Sequence, residues 1–271
     1  MLYNFNFKTP LQLLDYCAKN KPSYFSKHQR IDNFTVLENW DEVLDVIQNG
    51  WAIDRSDVAN HIDLIIQNLG SLTWREEYIN STTGLFFDIG LVCQGKPECW
   101  FTTQETDEKV SGKKIIKIGF NVAVSSNVSI EAIIERGSAV LALIKLLEQM
   151  GRKVELIQYC SLSKNTYTFN GSLTLKTAEQ NLDVTSLIFW LTCPDSYRRC
   201  WFRVMENVPY ARRFGCLEQK NGAESYGTPN TDFGKQESDI FISGIDSRSI
   251  WSRGRSIMWL RKTLQAQGLI Q

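Results

Sequence analysis

The sequence predicts an α/β fold: a three-layer arrangement with a mostly parallel sheet, helices on both faces, and an N-terminal helical region ahead of it. Three observations carry that expectation. Residues 114–125 (KIIKIGFNVAVS) place Ile116, Ile118, Phe120, Val122 and Val124 on one face of a strand and Gly119 and Ala123 on the other, as in a sheet covered on both sides. A long helical pattern over 130–150 and a second strand at 154–159 (VELIQY) follow, and strand, helix and strand at this spacing make a right-handed βαβ unit. Strand and helix patterns then alternate to the C-terminus.

Taken in order, Pro10 opens a short helix over 11–18, and 23–33 reads as loop. Trp40, Val43, Leu44 and Ile47 share one helical face in 40–48, which Asn49 and Gly50 end. Val58, Ile62, Ile65, Ile66 and Leu69 form a second such face, stopped by Gly70. The period then changes: 84–92 and 99–103 read as extended segments around the turn Gln94-Gly95-Lys96-Pro97. Ser129, with Glu131 and Glu135, suits the start of the 130–150 helix, and Gly151 its end. Its buried stripe runs through Ile133, Ile134, Gly137, Val140, Leu141, Ile144 and Leu147. Beyond it come a strand at 171–177, a helix at 182–191 and a helix from Pro194 to about Asn207. A Gly-, Asn- and Thr-rich loop over 215–238, a strand at 239–245 and a last helix at 249–267 complete the chain. These elements divide into an N-terminal helical region, 1–80, and an α/β domain, 81–271.

At roughly 150 residues per domain, 271 residues allow one large domain or two smaller ones. An apolar content of 43% at zero net charge is incompatible with a disordered chain. Thirty basic residues against thirty acidic ones exclude a uniformly basic polyanion binder and leave a local basic face open. The seven cysteines are odd in number and lack close pairs, and MLYNFNFKTPLQLLDYCAKN has no basic segment followed by an apolar run. Reduced thiols in a cytoplasm are therefore expected. No stretch approaches the about 18 apolar residues of a membrane span. The shortest cysteine spacings, Cys93 to Cys99 and Cys193 to Cys200, exceed the about two to four intervening residues of structural zinc sites, so no metal is expected.

The chain has no phosphate-binding Gly-x4-Gly-Lys-Ser/Thr string, no Gly-x-Gly-x-x-Gly, no Gly-x-Ser-x-Gly and no His-Glu-x-x-His. No catalytic residue and no cofactor is assigned. In open parallel sheets ligands bind beyond the carboxyl ends of the strands, which selects the loops 125–129, 159–164 and 244–248. Ser125, Ser126, Asn127 and Ser129 beside a helix N-terminus could hold an anion, with Asp246 opposite if the strands are neighbours. An ordinary βα turn has the same composition. A second feature is basic and aromatic: Arg198, Arg199, Arg203, Arg212 and Arg213 interleave with Tyr197, Trp201, Phe202, Tyr210 and Phe214. Arg253, Arg255, Arg261 and Lys262 continue it on the last helix. Guanidinium groups beside aromatic planes are suited to single-stranded nucleic acid. Tyr197, Cys200, Trp201, Val204, Met205 and Val208 equally read as a core stripe, with the arginines on the solvated side.

The stretch 120–157, FNVAVSSNVSIEAIIERGSAVLALIKLLEQMGRKVELI, resembles von Willebrand factor A-type domains, in which a hydrophobic strand ends in an Asp-x-Ser-x-Ser metal loop before a long helix and a second strand. Here Ala123 stands at the aspartate position and Asn127 at the second serine, so the resemblance implies a degenerate metal site. The segments around Trp40, Gly50 and Trp51, around Asp88, Gly90, Gly95, Pro97, Glu98 and Trp100, and at Arg136-Gly137 are similar to uncharacterised proteins of phages, plasmids and related mobile elements. Together they imply a non-enzymatic interaction or assembly module, with a protein partner or a second copy as its ligand and no membrane association. Nucleic-acid binding through the arginine-rich helices is the alternative.

Overall fold

The structure, a computed structural model, describes residues 1–20, 35–49, 51, 60, 62–64, 67, 78–81, 86–87, 89–103, 115–208, 227–245 and 253–266. It is α/β, as the sequence predicts. In chain order the elements are β1 (Leu2–Phe7), α1 (Pro10–Lys19), α2 (Trp40–Asn49), β2 (Tyr78–Ser81), β3 (Phe86–Phe87), α3 (Ile89–Cys93), β4 (Trp100–Thr103) and β5 (Ile115–Asn121). These are followed by α4 (Ile130–Gln149), β6 (Lys153–Lys164), β7 (Tyr167–Lys176), α5 (Val184–Thr192) and a π-helical turn (Ser196–Trp201) that leads into α6 (Phe202–Glu206). The last elements are β8 (Thr228–Pro229), a 3-10 turn (Lys235–Glu237), β9 (Ile240–Ile242) and α7 (Arg253–Ala266).

The main sheet has six strands in the order β1-β7-β6-β5-β9, with β8 added to β6. Three pairings are parallel (β1/β7, β5/β6, β5/β9), whereas β7 and β8 run antiparallel to β6. β5 and β6 are parallel neighbours joined through α4, which is the expected βαβ unit. A smaller sheet, β2-β4-β3, lies between the N-terminal helices and β5 in sequence. α3 occupies 89–93, where extended chain is expected, because a short continuous apolar run does not distinguish strand from helix.

The sequence explains why α4 lies at the centre. Ser129 caps it, its Oγ accepting from the backbone N–H of Ala132 at 3.3 Å, and Gly151 leaves it at φ 71°. Every residue from Glu135 to Ile144 is buried, on all sides of the helix, so α4 is enclosed by the sheet, α5 and α7. Gly137 makes that enclosure possible, since a Cβ there would stand 2.2 Å from the carbonyl oxygen of Leu191 on α5.

The two faces of the sheet are covered differently. Phe120, Gln158 and Phe169 face the helices; Gln158 donates to the carbonyl of Trp190 at 2.7 Å and accepts from the indole N–H of Trp201 at 2.8 Å. The six-membered ring of Trp201 packs against Gly171, where a Cβ would come within 2.2 Å of it. On the opposite face the segment 230–238, with its 3-10 turn, is seated on the small residues that the pattern of β5 reserves for it. A Cβ at Gly119 would stand 2.1 Å from Ser238 Oγ. Asn121, fully buried, donates to the carbonyls of Asn230, Thr231 and Phe233 at 2.9–3.3 Å and accepts from the N–H of Ala123 at 3.0 Å.

The N-terminal region is helical at α1 and α2, and residues 60, 62–64 and 67 are helical within the expected 58–69 helix. Ahead of α1, however, β1 enters the main sheet beside β7, and Phe7, Leu13, Cys17, Leu37 and Val43 belong to the same core cluster as Ile118, Leu141 and Trp201. One core thus spans residues from both sides of position 80. Residues 159–164, expected as a loop, continue β6 and turn into β7 through Asn165, whose φ of 54° lies in the left-handed region that asparagine tolerates.

Gly137→Ala sets two effects against each other. Helix propensity favours alanine by about 1 kcal/mol, whereas the contact with Leu191 costs about 1–3 kcal/mol as overpacking against backbone. A lower urea midpoint is expected, and a higher one would show that α4 and α5 do not meet at this position.

Candidate functional site

The carboxyl ends of β5 and β9 lie side by side, and their loops are joined. Val124 is bridged to Ile245, and the N–H of Ser125 donates to the Ile245 carbonyl at 3.0 Å. The neighbouring-strand condition for the loop 125–129 is therefore met. Val128 N–H closes the turn onto Ser125 O at 3.2 Å; Ser126, Asn127 and Ser129 are exposed and Ser125 is half-buried. Asp246 lies outside the described residues. Ala123, at the position where the metal loop would have its carboxylate, is fully buried. Among the described residues no group of three or more His, Cys, Asp or Glu side chains is placed to hold a metal ion.

The arginines depart most from expectation. Arg198, Arg199 and Arg203 are 1%, 0% and 6% exposed, so they are interior residues and supply no nucleic-acid face. The core stripe beside them is as expected: Tyr197, Cys200, Trp201, Val204, Met205 and Val208 are all buried. What the periodicity does not convey is that the other side of this segment is buried as well. The chain winds as a π-helix over Ser196–Trp201, and every residue of that turn is enclosed.

Each guanidinium reaches a different backbone end. Arg198 Nη2 donates to the carbonyls of Ser125 and Val128, both at 3.3 Å, and so supports the loop 125–129 from beneath. Arg199 Nε donates to Asp195 Oδ1 at 2.5 Å, and its Nη2 to the carbonyl of Leu37 at 2.6 Å. Asp195 accepts in turn from the N–H groups of Val36 and Leu37 at 2.8 and 3.2 Å. Arg203 Nε donates to Cys17 O at 2.8 Å and its Nη2 to Asn20 O at 3.3 Å, satisfying the last carbonyls of α1, while its guanidinium stacks 4.1 Å over the Trp40 ring. The two candidate sets are thus one assembly, with Arg198 the support of the loop that contains Ser125.

Burial sets the titration of this layer. It lowers the pKa of Arg198 to about 10, with Tyr197 and Asp195 drawing it back up, and it lowers that of Arg203. Burial raises Asp195 above the usual carboxylate range, opposed by the Val36 N–H and by Arg199. Cys17 is pushed up to about 12 by burial, and Cys160, Cys193 and Cys200 are raised by the same cause, which keeps them as thiols.

Of the remaining candidates, Arg212 and Arg213 lie outside the described residues, as does the Arg253 side chain, although its backbone begins α7. Arg255, Arg261 and Lys262 are exposed on α7. The sequence reading does not select Asn121 or Arg136 as site residues. Only their placement signals them, a polar residue in an apolar strand and a cation in an apolar helix.

Fold and site together define an α/β domain in which a βα loop at the sheet's carboxyl edge is held from below by buried arginine. The chain belongs to the family described as Domain of unknown function (DUF7192), whose model matches residues 3–271. No curated protein and no solved structure matches the chain. Among the described residues no helix is long and apolar enough to cross a membrane.

Asp195→Ala removes the buried carboxylate that accepts from Arg199 Nε and is expected to cost about 3–5 kcal/mol, read as a lower midpoint in urea unfolding. Asp195→Ala with Arg199→Met removes both charges and is expected to recover part of that loss. Equal midpoints for the single variant and wild type would show that the pair does not hold the 35–38 segment.

Proposed function

We propose that this protein is a non-enzymatic interaction module, von Willebrand A-like in layout with a degenerate metal loop, that joins a protein partner or a second copy by strand addition at β1. The observation that carries the reading is the outer edge of the main sheet. β1 is an end strand, and among the described residues only β7 pairs with it. Its sequence, LYNFNF, has no charge, proline or bulge of the kind that guards free edges, and Met1 and Leu2 are 62% and 57% exposed. Leu11, at the start of α1, is exposed as well. Such an edge offers backbone donors and acceptors in register to an incoming strand.

The strand–loop–long helix–parallel strand order of β5, α4 and β6 supports the von Willebrand A-like part of the proposal. The setting in a virus or mobile element rests on the sequence resemblance alone. A reducing, cytoplasmic location is part of the same reading and rests on the odd number and wide spacing of the seven cysteines.

Asn4→Lys with Asn6→Lys adds charge along the edge at two exposed positions and is expected to leave the unfolding midpoint unchanged while abolishing association. Sedimentation velocity over a wide concentration range reads self-association, and selection from a library of extended peptides reads a foreign strand. A wild-type protein that stays monomeric and selects no peptide, or associations that the double variant retains, would overturn the proposal. Filter binding of single- and double-stranded nucleic acid across a salt series tests the alternative, which now rests on α7 and on residues outside the described set.

A further inference from the structure

Arg136 has a different environment from the arginines that hold the backbone. It projects from the second turn of α4, is 1% exposed, and lays its guanidinium 4.6 Å over the Phe120 ring. Nη1 donates to the carbonyl of Ser243 at 3.0 Å, while Nε is buried with no hydrogen-bond partner among the described residues. No carboxylate among them is paired with it. The acid of this layer, Asp195, turns its oxygens to Arg199 and to the N–H groups of Val36 and Leu37. Burial alone accounts for its lowered pKa, about 9, which leaves Arg136 a cation at neutral pH. A buried charge without a counter-charge costs several kcal/mol, so its persistence calls for an occupant.

There is room for one. Arg136 lines a cavity between β5, the first turns of α4, the end of α5 and the π-helical turn, with Phe120, Val122, Val124, Ile133 and Leu191 as its apolar walls. The cavity volume is about 10 Å³, room for one small occupant. Two other polar groups on the wall are already committed: Ser196 Oγ donates to Trp190 O at 3.2 Å and Cys193 Sγ to Asp195 at 3.6 Å. Tyr197 also lines the cavity, and burial, then Cys160, raises its pKa so that the O–H keeps its proton. The wall therefore presents a cation and hydrocarbon beside the hydroxyl groups of Ser196 and Tyr197. A weakly hydrated anion there would find opposite charge in a low-dielectric setting.

We infer that this cavity binds one small monovalent anion of halide size, with Arg136 Nε and the Tyr197 hydroxyl as its donors. Chloride and bromide are the probes. Thermal unfolding is followed as chloride replaces gluconate at constant ionic strength, and the midpoint is expected to rise by about 2–3 °C for each tenfold of chloride above its dissociation constant. Arg136→Gln is expected to abolish the response, and Tyr197→Phe, which keeps the ring, to weaken chloride binding about tenfold. Crystals grown in bromide are expected to show an anomalous peak beside Nε, a readout that does not depend on any variant folding. Equal midpoints in chloride and gluconate, or a bromide-free cavity holding water, would overturn the inference.

Discussion

Guanidinium groups inside a protein must be met by oxygen, and that requirement organises much of this structure. Arg198, Arg199 and Arg203 leave one short segment and reach, respectively, the loop after β5, the 35–38 segment and the end of α1. Three pieces of chain that are remote in sequence are thereby tied to the one segment 198–203. The π-helical winding of 196–201 places Arg198 and Arg199 in adjacent positions while both stay enclosed. Lysine could not substitute in this role. Its ammonium is a compact, strongly hydrated point charge, whereas the planar guanidinium spreads its donors over two carbonyls or a carboxylate and a carbonyl at once. Asp195 supplies an ion pair to this set, and backbone carbonyls supply the other hydrogen-bond acceptors described for it.

The sheet and α4 form the frame against which that layer is set. On the helix side, glycine at 137 and 171 admits a neighbouring backbone and an indole ring to distances that any side chain would block. On the other side, Gly119 and Asn121 receive the 230–238 segment, one by absence of bulk and the other by three hydrogen bonds. Tyr159 completes that contact, with an edge-on packing against Phe233 at 5.6 Å and a hydrogen bond to Glu237 at 3.1 Å. A segment whose composition reads as surface loop is held down by polar contacts with the sheet.

What is legible in the sequence follows from periodicity. α4 and its caps, the βαβ unit, and the apolar and small faces of β5 are all written in patterns a few residues long. β1 is not legible, because LYNFNF is short and its partner β7 lies more than 150 residues away. The site is half legible: the loop 125–129 follows from the rule about strand ends, but the burial of Arg198, Arg199 and Arg203 does not. Composition assigns arginine to the surface, and a stripe of apolar residues implies a polar back. Here the back is covered by α1 and by the 35–38 segment, which no local pattern announces.

The pairing of β1 with β7 has a consequence for how the chain comes to be folded. Leu2 is aligned with Thr168 and Phe7 with Leu173, in parallel. β1 is therefore synthesised more than 150 residues ahead of the strand it pairs with and takes its place only after β7 has been made. At ordinary synthesis rates it waits on the order of ten to thirty seconds for its partner. During that interval an uncharged segment of aromatic and amide residues, of high strand propensity, is unprotected. The edge that has no partner among the described residues begins as a strand with both edges unpaired.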